Sequence, residues 1–251
     1  MKKILFAIAL AVVATACNHN NDGDQATMQV GKIAIEAATR GEVVENNSSA
    51  TNSKFVLNEE LIPAESDLRV EIVGNNTTYT WDTLAEFNSA NEEQTFTSAP
   101  YTITLSHGDK GVEGWSKPYF EGFTTVEVPM YGLTATADIQ VVMTNSIVAI
   151  DTTDNFDGYF SSAVFKINGI DWDSAKEDML FMNSGDITIT CEAVRPTGKS
   201  ATFTTDVTLK PTHRHTVKFD LSTAGNATVK ISFDDTIVTT EEFEFELNGN
   251  A

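Results

Sequence analysis

The sequence predicts an all-β protein with two antiparallel β-sandwich domains. Apolar and polar residues alternate in many short segments, which is the pattern of strands with one buried face. Gly, Asn and Asp residues separate these segments, as in Gly74-Asn75-Asn76 and Ala224-Gly225-Asn226. A chain of 251 residues rich in such strands could form one large sandwich or two of ordinary size, and we predict two.

The first 16 residues have the pattern of a bacterial signal peptide. They begin with MKK, and an apolar run at 4–16 follows that is shorter than the roughly 18 to 20 residues needed to cross a bilayer. The run leads into ATAC, which resembles a bacterial lipobox except that Ala14 stands where leucine is usual. This resemblance implies a cut before Cys17 and lipid attachment to Cys17. The alternative is an ordinary secreted protein cut after Ala16.

Residues 17–27 are predicted to form a flexible, lipidated tether. Within it, Asn18 to Ala26 is polar, rich in Asn and Asp, and without periodicity. At about 3.3 Å per extended residue, Asn18 to Ala26 would span about 30 Å at most, so the folded part would lie close to the membrane. The acidic tract after the cysteine resembles the signal that sends Bacteroidetes lipoproteins to the outer face of the outer membrane. We therefore expect a protein that is lipid-anchored in the outer membrane and exposed at the cell surface.

The composition excludes two classes of partner. The formal net charge is −20, from 16 Lys and Arg against 36 Asp and Glu. Such a surface repels nucleic acid and anionic lipid, because phosphate binding depends on clustered basic side chains. The acidity is better explained by solubility than by cation binding.

Seven segments show the alternation most clearly, each with three apolar residues on one face. These are Leu68, Val70 and Ile72; Tyr101, Ile103 and Leu105; Ile139, Val141 and Met143; Ile187, Ile189 and Cys191; Val217, Phe219 and Leu221; Val229, Ile231 and Phe233; and Phe243, Phe245 and Leu247. Only Asp173 to Met182 could form a short helix, with Asp173 as its N-cap. Cys191 has no predicted disulfide partner and is expected to be a buried structural residue.

The strands divide into two sets. The segment at 139–143 closes a first set of roughly seven strands, and a new set follows Asn145. We therefore predict a signal peptide at 1–16, a tether at 17–27, an N-terminal sandwich at 28–144 and a C-terminal sandwich at 145–251. The polar run at 45–53 is predicted to be an exposed loop inside the first sandwich.

The order of motifs from LRVEIVG at 68–74 to DNFDGYF at 154–160 resembles a family of Bacteroidetes cell-surface lipoproteins classed as a domain of unknown function. The matching positions are Tyr101, Pro118, Tyr119, Gly122, Asn145 and Val148. One departure is SAPY, which stands where a glycine usually precedes the tyrosine. The layout is also similar to that of anchor and accessory subunits of fimbrillin-type pili. The resemblance implies a surface protein of transthyretin-like sandwiches and implies no chemistry.

The densest group of aromatic residues is GWSKPYFEGF at 114–123. Trp115, Tyr119 and Phe120 in this segment could form a flat platform on which a sugar ring stacks. The alternative is that these rings, with Phe123, fill the end of the first sandwich, since large aromatic side chains are usually buried. The two remaining tryptophans are expected in the core.

No motif indicates a catalytic site, and neither a metal nor a cofactor is predicted. His213 and His215 lie on one face of a strand and could share a metal, but the sequence fixes no third ligand and favours two histidines at the rim of the sandwich. Asp151, Asp154 and Asp157 lack the spacing of a helix-loop-helix calcium site and are expected in a hydrated turn. The sequence contains no nucleophile elbow, phosphate-binding glycine loop or zinc-protease helix.

Three functions remain open at this point. The first is a structural or adhesive subunit associated with fimbriae, in which a partner's strand completes the sandwich. Arg40-Gly41 would suit a trypsin-like maturation cut for this role, although an ordinary turn explains it too. The second is a glycan-binding module centred on Trp115 and Tyr119, and the third, a hydrolase, has no supporting motif. We expect a non-catalytic protein whose partners are a membrane, through its lipid, and surface or pilus subunits or glycans.

Overall fold

The computed structural model describes residues 29–45, 53–176, 178–222 and 227–243. The predicted signal peptide, the lipidation site Cys17 and the predicted tether lie outside the described residues. The predicted turn at 224–226 and the apolar residues Phe245 and Leu247 do as well. Within the described part, no helix is both long enough and apolar enough to cross a membrane.

Strands dominate the described chain, and the all-β prediction is confirmed. The strands of the first half are β1 (Val30–Arg40), β2 (Glu42–Glu45), β3 (Ser53–Val56), β4 (Arg69–Gly74), β5 (Thr77–Trp81), β6 (Phe96–Thr97), β7 (Pro100–His107), β8 (Gly114–Trp115), β9 (Phe120–Glu127) and β10 (Thr134–Met143). Those of the second half are β11 (Ser146–Thr152), β12 (Ser162–Ile167), β13 (Ile170–Trp172), β14 (Leu180–Met182), β15 (Gly185–Val194), β16 (Ser200–Leu209), β17 (His213–Ser222), β18 (Ala227–Phe233) and β19 (Thr236–Phe243). The helical elements are α1 (Leu84–Ala90), α2 (Asp154–Tyr159) and two 3-10 turns at Glu59–Leu61 and Glu65–Asp67.

The first sheet has the strand order β5-β4-β7-β9-β10-β1-β6. Its strands pair antiparallel except for β1 and β10, which run parallel over nine residue pairs. The sheet curls, because Tyr79 of β5 and Phe96 of β6 belong to opposite ends of this order and yet their ring centroids lie 5.2 Å apart. Curling gives the sheet a single apolar core, in which Ile33, Ile103 and Val141 have no exposed surface.

The second half of the chain forms a sandwich of two sheets. One sheet has the order β19-β18-β17-β11-β14-β8 and the other has the order β13-β12-β15-β16. Phe203 and Ile189 of the smaller sheet share a buried core with Phe219 and Ile231 of the larger one. The pair β11 and β17 is parallel. Alternating apolar residues predict a strand but not its direction, so the parallel pairs are a feature that the sequence pattern did not show.

Three strands from the first half of the chain belong to the larger sheet of the second half, which we call the second sheet. β8 pairs with β14, while β2 pairs with β17 and with β3. The loop predicted at 45–53 therefore connects two strands that extend the second sheet, and its residues 46–52 lie outside the described part. β10 ends at Met143 and β11 begins at Ser146, so the predicted junction falls between two strands. The pairing of β8 with β14 and of β2 with β17 therefore joins the two halves.

The predicted helix at Asp173 to Met182 is wrong. Asp173 instead begins a turn in which its carboxylate oxygen Oδ1 accepts a hydrogen bond from the Ala175 amide at 3.0 Å. Leu180–Met182 form β14, and all three side chains are buried. Pairing with β11 on one side and β8 on the other overrides the local helical tendency, because it buries three large apolar side chains.

Both α-helices in the described part of the chain start at threonine caps. The Glu86 amide donates to Thr83 Oγ1 at the start of α1, and the Phe156 amide donates to Thr153 Oγ1 at the start of α2. The aspartates at 154 and 157 therefore lie in a short helix and not in the predicted turn. Each helix buries a phenylalanine against a sheet.

The predicted turn at Gly74-Asn75-Asn76 is confirmed. Asn75 and Asn76 have φ angles of 46° and 58°, which is the left-handed conformation required by a tight hairpin between β4 and β5. The alternation in the predicted strands is confirmed as well, since residues such as Val70, Ile72 and Ile189 have no exposed surface. Both features depend on local backbone geometry, which explains why the sequence predicts them.

Candidate functional site

The aromatic segment at 114–123 crosses from the first half of the fold to the second. Trp115 lies in β8, which pairs with Leu180 and Phe181 of β14. The Ser116 amide extends this contact by donating a hydrogen bond to the Met179 carbonyl at 2.9 Å. The segment is therefore a connection between the two halves and not a free loop.

The indole of Trp115 is half-buried, and other side chains contact its ring. The ring centroid of Trp172 lies 5.1 Å away at an interplanar angle of 36°, and the Lys176 ammonium lies 4.8 Å from the Trp115 centroid. These contacts take up ring surface that a sugar would need for stacking.

Tyr119 and Phe120 are too buried for the predicted platform. Phe120 has no exposed surface and Tyr119 is 8% exposed, because both side chains pack at the end of the first sheet. The Tyr119 hydroxyl donates to Glu121 Oε2 at 2.5 Å, and burial together with this hydrogen bond raises the pKa of the phenol above its usual value. Phe123 is 72% exposed. The prediction that Trp115, Tyr119 and Phe120 form one exposed platform is therefore corrected.

Asn145 holds the junction between the halves. This buried side chain donates from Nδ2 to the Lys117 carbonyl at 3.0 Å and accepts from the Tyr119 amide at Oδ1. Its own carbonyl accepts from the Thr212 amide at the start of β17. Asn145 and Tyr119 are two of the positions that carry the family resemblance, and the structure gives them a role in fixing the junction.

Gly122, a third position of the resemblance, allows β9 and β10 to approach closely. A Cβ atom at this position would lie 2.2 Å from the Gln140 carbonyl oxygen. This distance is far below van der Waals contact, so no other residue fits there without a backbone shift.

The two histidines of β17 do not form a metal site. His215 is fully buried, whereas the sequence favoured a position at the rim. Its Nε2 accepts from the Lys210 amide at 3.0 Å, and its Nδ1 donates to Asp234 Oδ2 at 2.7 Å. Both ring nitrogens are therefore used by protein groups, although the His213 ring stacks on that of His215 at 5.7 Å. Within the described residues, no group of three or more His, Cys, Asp or Glu side chains is placed to hold a metal ion.

Arg40, the predicted maturation site, is the last residue of β1. Its side chain is exposed. The next residue, Gly41, is buried, and its carbonyl accepts a hydrogen bond from the Leu57 amide at 3.0 Å. A protease would have to release Gly41 from this contact in order to cut the bond.

Among the described residues, a cleft of about 550 Å³ in the second sandwich is the strongest candidate for a binding site. It is lined by residues of β11, α2, β12 and β13. Phe156 and Phe160 form buried parts of its wall, while Phe165 and Trp172 are half-buried. Its volume lies within the range of small-molecule sites, about 300 to 1,000 Å³.

The rim of the cleft is polar and acidic. It carries the exposed side chains of Asp157, Asp173, Ser161 and Ser162. Asp157 Oδ2 accepts a hydrogen bond from Thr152 Oγ1 at 2.8 Å, which orients its carboxylate. Asp173 is oriented in the same way by the Ala175 amide. An aromatic wall with oriented carboxylates and hydroxyls at its rim can bind a ligand that has both an apolar face and hydroxyl groups.

The sequence interpretation missed Trp172 as a site residue, since it expected this tryptophan in the core. A signal is nevertheless present, because Trp172 stands between Asp171 and Asp173 on a three-residue strand. A tryptophan flanked by two charged residues on so short a strand is expected near the surface.

Several solved structures are similar to this chain at low sequence identity. A candidate cell adhesion protein of Bacteroides fragilis is 7% identical, with 87% of this chain and 99% of that chain covered and a TM-score of 0.35. Candidate polysaccharide-binding proteins of Bacteroides thetaiotaomicron are 9% identical, with 85% and 98% covered and a TM-score of 0.41. A candidate adhesin of Bacteroides ovatus is 8% identical, with 86% and 96% covered and a TM-score of 0.38. These values are too low to transfer a function.

Comparison with curated proteins finds no match. In contrast, a family model described as "Domain of unknown function (DUF4493)" matches residues 31–249, which is most of the chain. The match spans the first sheet, the junction at Asn145 and the second sandwich. The expected membership in a family of unknown function is thus confirmed, and the chain belongs to the DUF4493 family.

Proposed function

We propose that this protein is a non-catalytic binding protein of the cell surface, anchored in the outer membrane by lipid on Cys17, and that its adhesive partner is a glycan. The observation that carries the proposal is the cleft in the second domain, where Trp172 and Phe165 face a rim of carboxylates and hydroxyls. The anchor follows from the sequence at 1–27, and the glycan follows from the chemistry of the cleft.

The cleft combines the two contacts that sugars require. A sugar ring has an apolar face of C–H groups that packs on an aromatic ring, and Trp172 and Phe165 offer half-buried rings for this contact. Its hydroxyls donate to carboxylates, and Asp157 and Asp173 are both exposed and oriented. The hydroxyls of Ser161 and Ser162 add further donors and acceptors at the rim.

The charge of the cleft favours neutral sugars. Asp157 and Asp173 are both acidic, and the whole chain has a net charge of −20. An anionic polysaccharide, such as one rich in uronic acid or sulfate, would be repelled at the rim and over the whole surface. We therefore propose a neutral, hydroxyl-rich glycan.

The cleft replaces the predicted platform as the glycan site. Trp115 contacts Trp172 from the junction side and supports the position of that ring. Trp115 therefore affects binding through Trp172. Phe120 lies in the first core, Tyr119 is buried next to it in the chain, and neither residue lines the cleft.

The test is a binding assay of the full mature chain against soluble neutral α-glucan, β-glucan, mannan and galactan, with polygalacturonate as the anionic comparison. Wild type should be retarded by at least one neutral polysaccharide in affinity electrophoresis, and Trp172→Ala should lower that affinity about tenfold or more, since losing a stacking contact costs about 1.4 kcal/mol. Phe123→Ala is the matched control, because Phe123 is exposed and does not line the cleft. Equal binding by wild type and Trp172→Ala would contradict the cleft as the site.

A structural role in fimbriae is the second candidate function, and the position of β1 favours it. β1 pairs in parallel with β10 over nine residues. Among the described strands, its other pairing is with β6 and involves only Val30 and Gly31. A cut after Arg40 would leave β1 held by non-covalent contacts alone. Its departure would free the edge of β10 for a strand from a partner subunit, and backbone hydrogen bonds would then hold the two subunits together.

Limited digestion of the purified protein with trypsin tests this second candidate. The proposed role predicts that the first cut falls after Arg40, and that Arg40→Gln abolishes this cut while later cuts remain. Uniform resistance at Arg40, as the buried Gly41 would produce in a rigid fold, would contradict it.

A further inference from the structure

The hairpin between β9 and β10 ends in an exposed apolar tip. Met130, Tyr131 and Leu133 are 47%, 66% and 60% exposed, which makes this turn a dense group of exposed large apolar side chains. The tip is held in a fixed shape, since the Leu133 amide donates to the Met130 carbonyl and Tyr131 and Gly132 have φ angles of 64° and 69°. A tyrosine at a positive φ angle is costly, and its side chain gains no burial in return.

The tip lies beside the point where the described chain begins. The Gly132 amide donates to the Val30 carbonyl at 2.8 Å, and the Ser98 amide donates to the Gln29 carbonyl at 2.7 Å. Residue 29 is the first described residue. The segment that leads back to Cys17 therefore leaves the fold next to the exposed tip.

This end of the molecule carries few charged side chains, although the chain as a whole is strongly acidic. Three segments meet there, at 29–31, 95–100 and 128–137, and none of them contains Asp, Glu, Lys or Arg. The charged residues next to them are Lys32, which pairs with Thr134, and Glu127, which pairs with Pro100. In a chain with 36 acidic residues, an end with so few charges reduces repulsion from an anionic surface. The amphipathic ring of tyrosine and the apolar side chains of methionine and leucine suit the boundary between lipid headgroups and acyl chains.

From this placement we infer that the tip at 130–133 is a membrane-contact site, which lies in the headgroup region of the lipid bilayer to which the chain is anchored. The inference rests on the proposed lipid anchor at Cys17. Eleven residues, 18–28, separate the anchor from the described fold. A flexible chain of that length spans about 20 Å on average and extends to about 40 Å at most, so a tether of this kind would hold the tip close to the bilayer.

Contact by the tip would fix the orientation of the protein. A single flexible tether lets an anchored domain rotate freely, whereas a tether and an adjacent apolar contact define one end as the membrane side. The cleft belongs to the second sandwich, so the site proposed for glycan and the site proposed for lipid lie in different halves of the fold.

Spin labelling of the mature, lipidated chain in phosphatidylcholine vesicles tests the inference. A nitroxide is attached to the Leu133→Cys variant and, as a matched control, to the Val164→Cys variant, because Val164 is 50% exposed on β12 of the second sandwich. Cys191 is buried and does not compete for the label. The measurement is the ratio of label collisions with oxygen to those with a water-soluble nickel chelate, which rises with depth in a bilayer.

On vesicles, the expected oxygen-to-nickel collision ratio is several-fold higher at position 133 than at position 164. The Cys17→Ser chain lacks the proposed lipid site, and in detergent-free solution it should give equal ratios at both positions. Equal ratios on vesicles would overturn the inference, and so would spin-spin broadening at position 133 that shows contact with a second copy. Failure of the wild-type chain to attach to vesicles would overturn it together with the anchor. The result is independent of the glycan proposal, which is measured by Trp172→Ala.

Discussion

The indole rings of Trp115 and Trp172 lie with their centroids 5.1 Å apart, although 56 residues separate them in the chain and they come from opposite halves of the fold. Trp115 belongs to a two-residue strand that crosses into the second sheet, and Trp172 lines the cleft. The contact therefore couples the junction to the candidate binding site. A change at Trp115 should be felt both in stability and in ligand binding.

We predict that Trp115→Ala destabilises the fold. It removes the contacts with Trp172 and Lys176, and a half-buried indole should cost about 2 kcal/mol in unfolding free energy, below the 3 to 5 kcal/mol typical of a fully buried one. Urea unfolding measures the change. Phe123→Ala is the control and should stay within about 0.5 kcal/mol of wild type, since its ring is exposed. Equal stability of Trp115→Ala and wild type would show that the contact does not hold the halves together.

Gly122→Ala is predicted to destabilise the first sheet by about 2 kcal/mol or more, because the new methyl group would lie 2.2 Å from the Gln140 carbonyl oxygen. In a protein of this size, such a loss lowers the melting temperature by roughly 4 to 8 °C. Gly158→Ala in α2 is the matched control. Nothing lies within 4 Å of its Cβ position, so its melting temperature should be unchanged or slightly raised. A similar melting temperature for both variants would argue against close packing of β9 on β10.

His215→Phe is predicted to destabilise the second sandwich by about 2 to 3 kcal/mol. An aromatic ring is kept, but the Lys210 amide loses its buried acceptor, and the Asp234 carboxylate loses the His215 donor while it keeps the Thr216 amide. His213→Phe is the comparison, because His213 is half-buried. In the described chain, its ring nitrogens hydrogen-bond only the nearby Pro211 carbonyl. Equal losses in urea unfolding would mean that the buried network adds nothing beyond packing.

Counting reactive thiols tests burial of Cys191 and lipidation of Cys17 together. Burial, and to a smaller extent Glu192, raises the pKa of the Cys191 thiol to about 12, so the folded chain should show no rapid reaction with a disulfide reagent at pH 8. After denaturation, the mature protein should show one thiol, because the other sulfur carries the lipid. Two thiols would contradict lipidation, and a fast thiol in the folded chain would contradict burial.

The same pKa predicts how stability changes at alkaline pH. The thiol has an ordinary value of 9.0 when unfolded and about 12 when folded, so between these values the unfolded chain binds fewer protons than the folded one. Unfolding free energy should therefore fall as pH rises above 9. Cys191→Ala removes this contribution, and its stability should depend less on pH between 9 and 11. Parallel pH profiles for both proteins in urea unfolding would contradict the shift.

The candidate site shows where prediction from sequence stops. The aromatic content of the segment at 114–123 predicts either one exposed platform or rings that fill the end of the first sandwich, whereas Trp115 packs on Trp172 of the second sandwich and Phe120 lies in the first core. The sequence also predicts Trp172 in the core. The cleft is built from four separate elements between residues 150 and 174, and no single segment carries its pattern.

The sequence by itself determined the all-β class, the strands and the turn at Asn75 and Asn76, because alternation and left-handed turns are properties of a few neighbouring residues. It also determined the acidic charge and its consequences for partners. Only the tertiary structure decided that β1 runs parallel to β10, that β8 joins β14, and that Leu180–Met182 form a strand. These outcomes depend on which distant strands offer a partner for backbone hydrogen bonds and a core for apolar side chains, and local sequence does not contain that information.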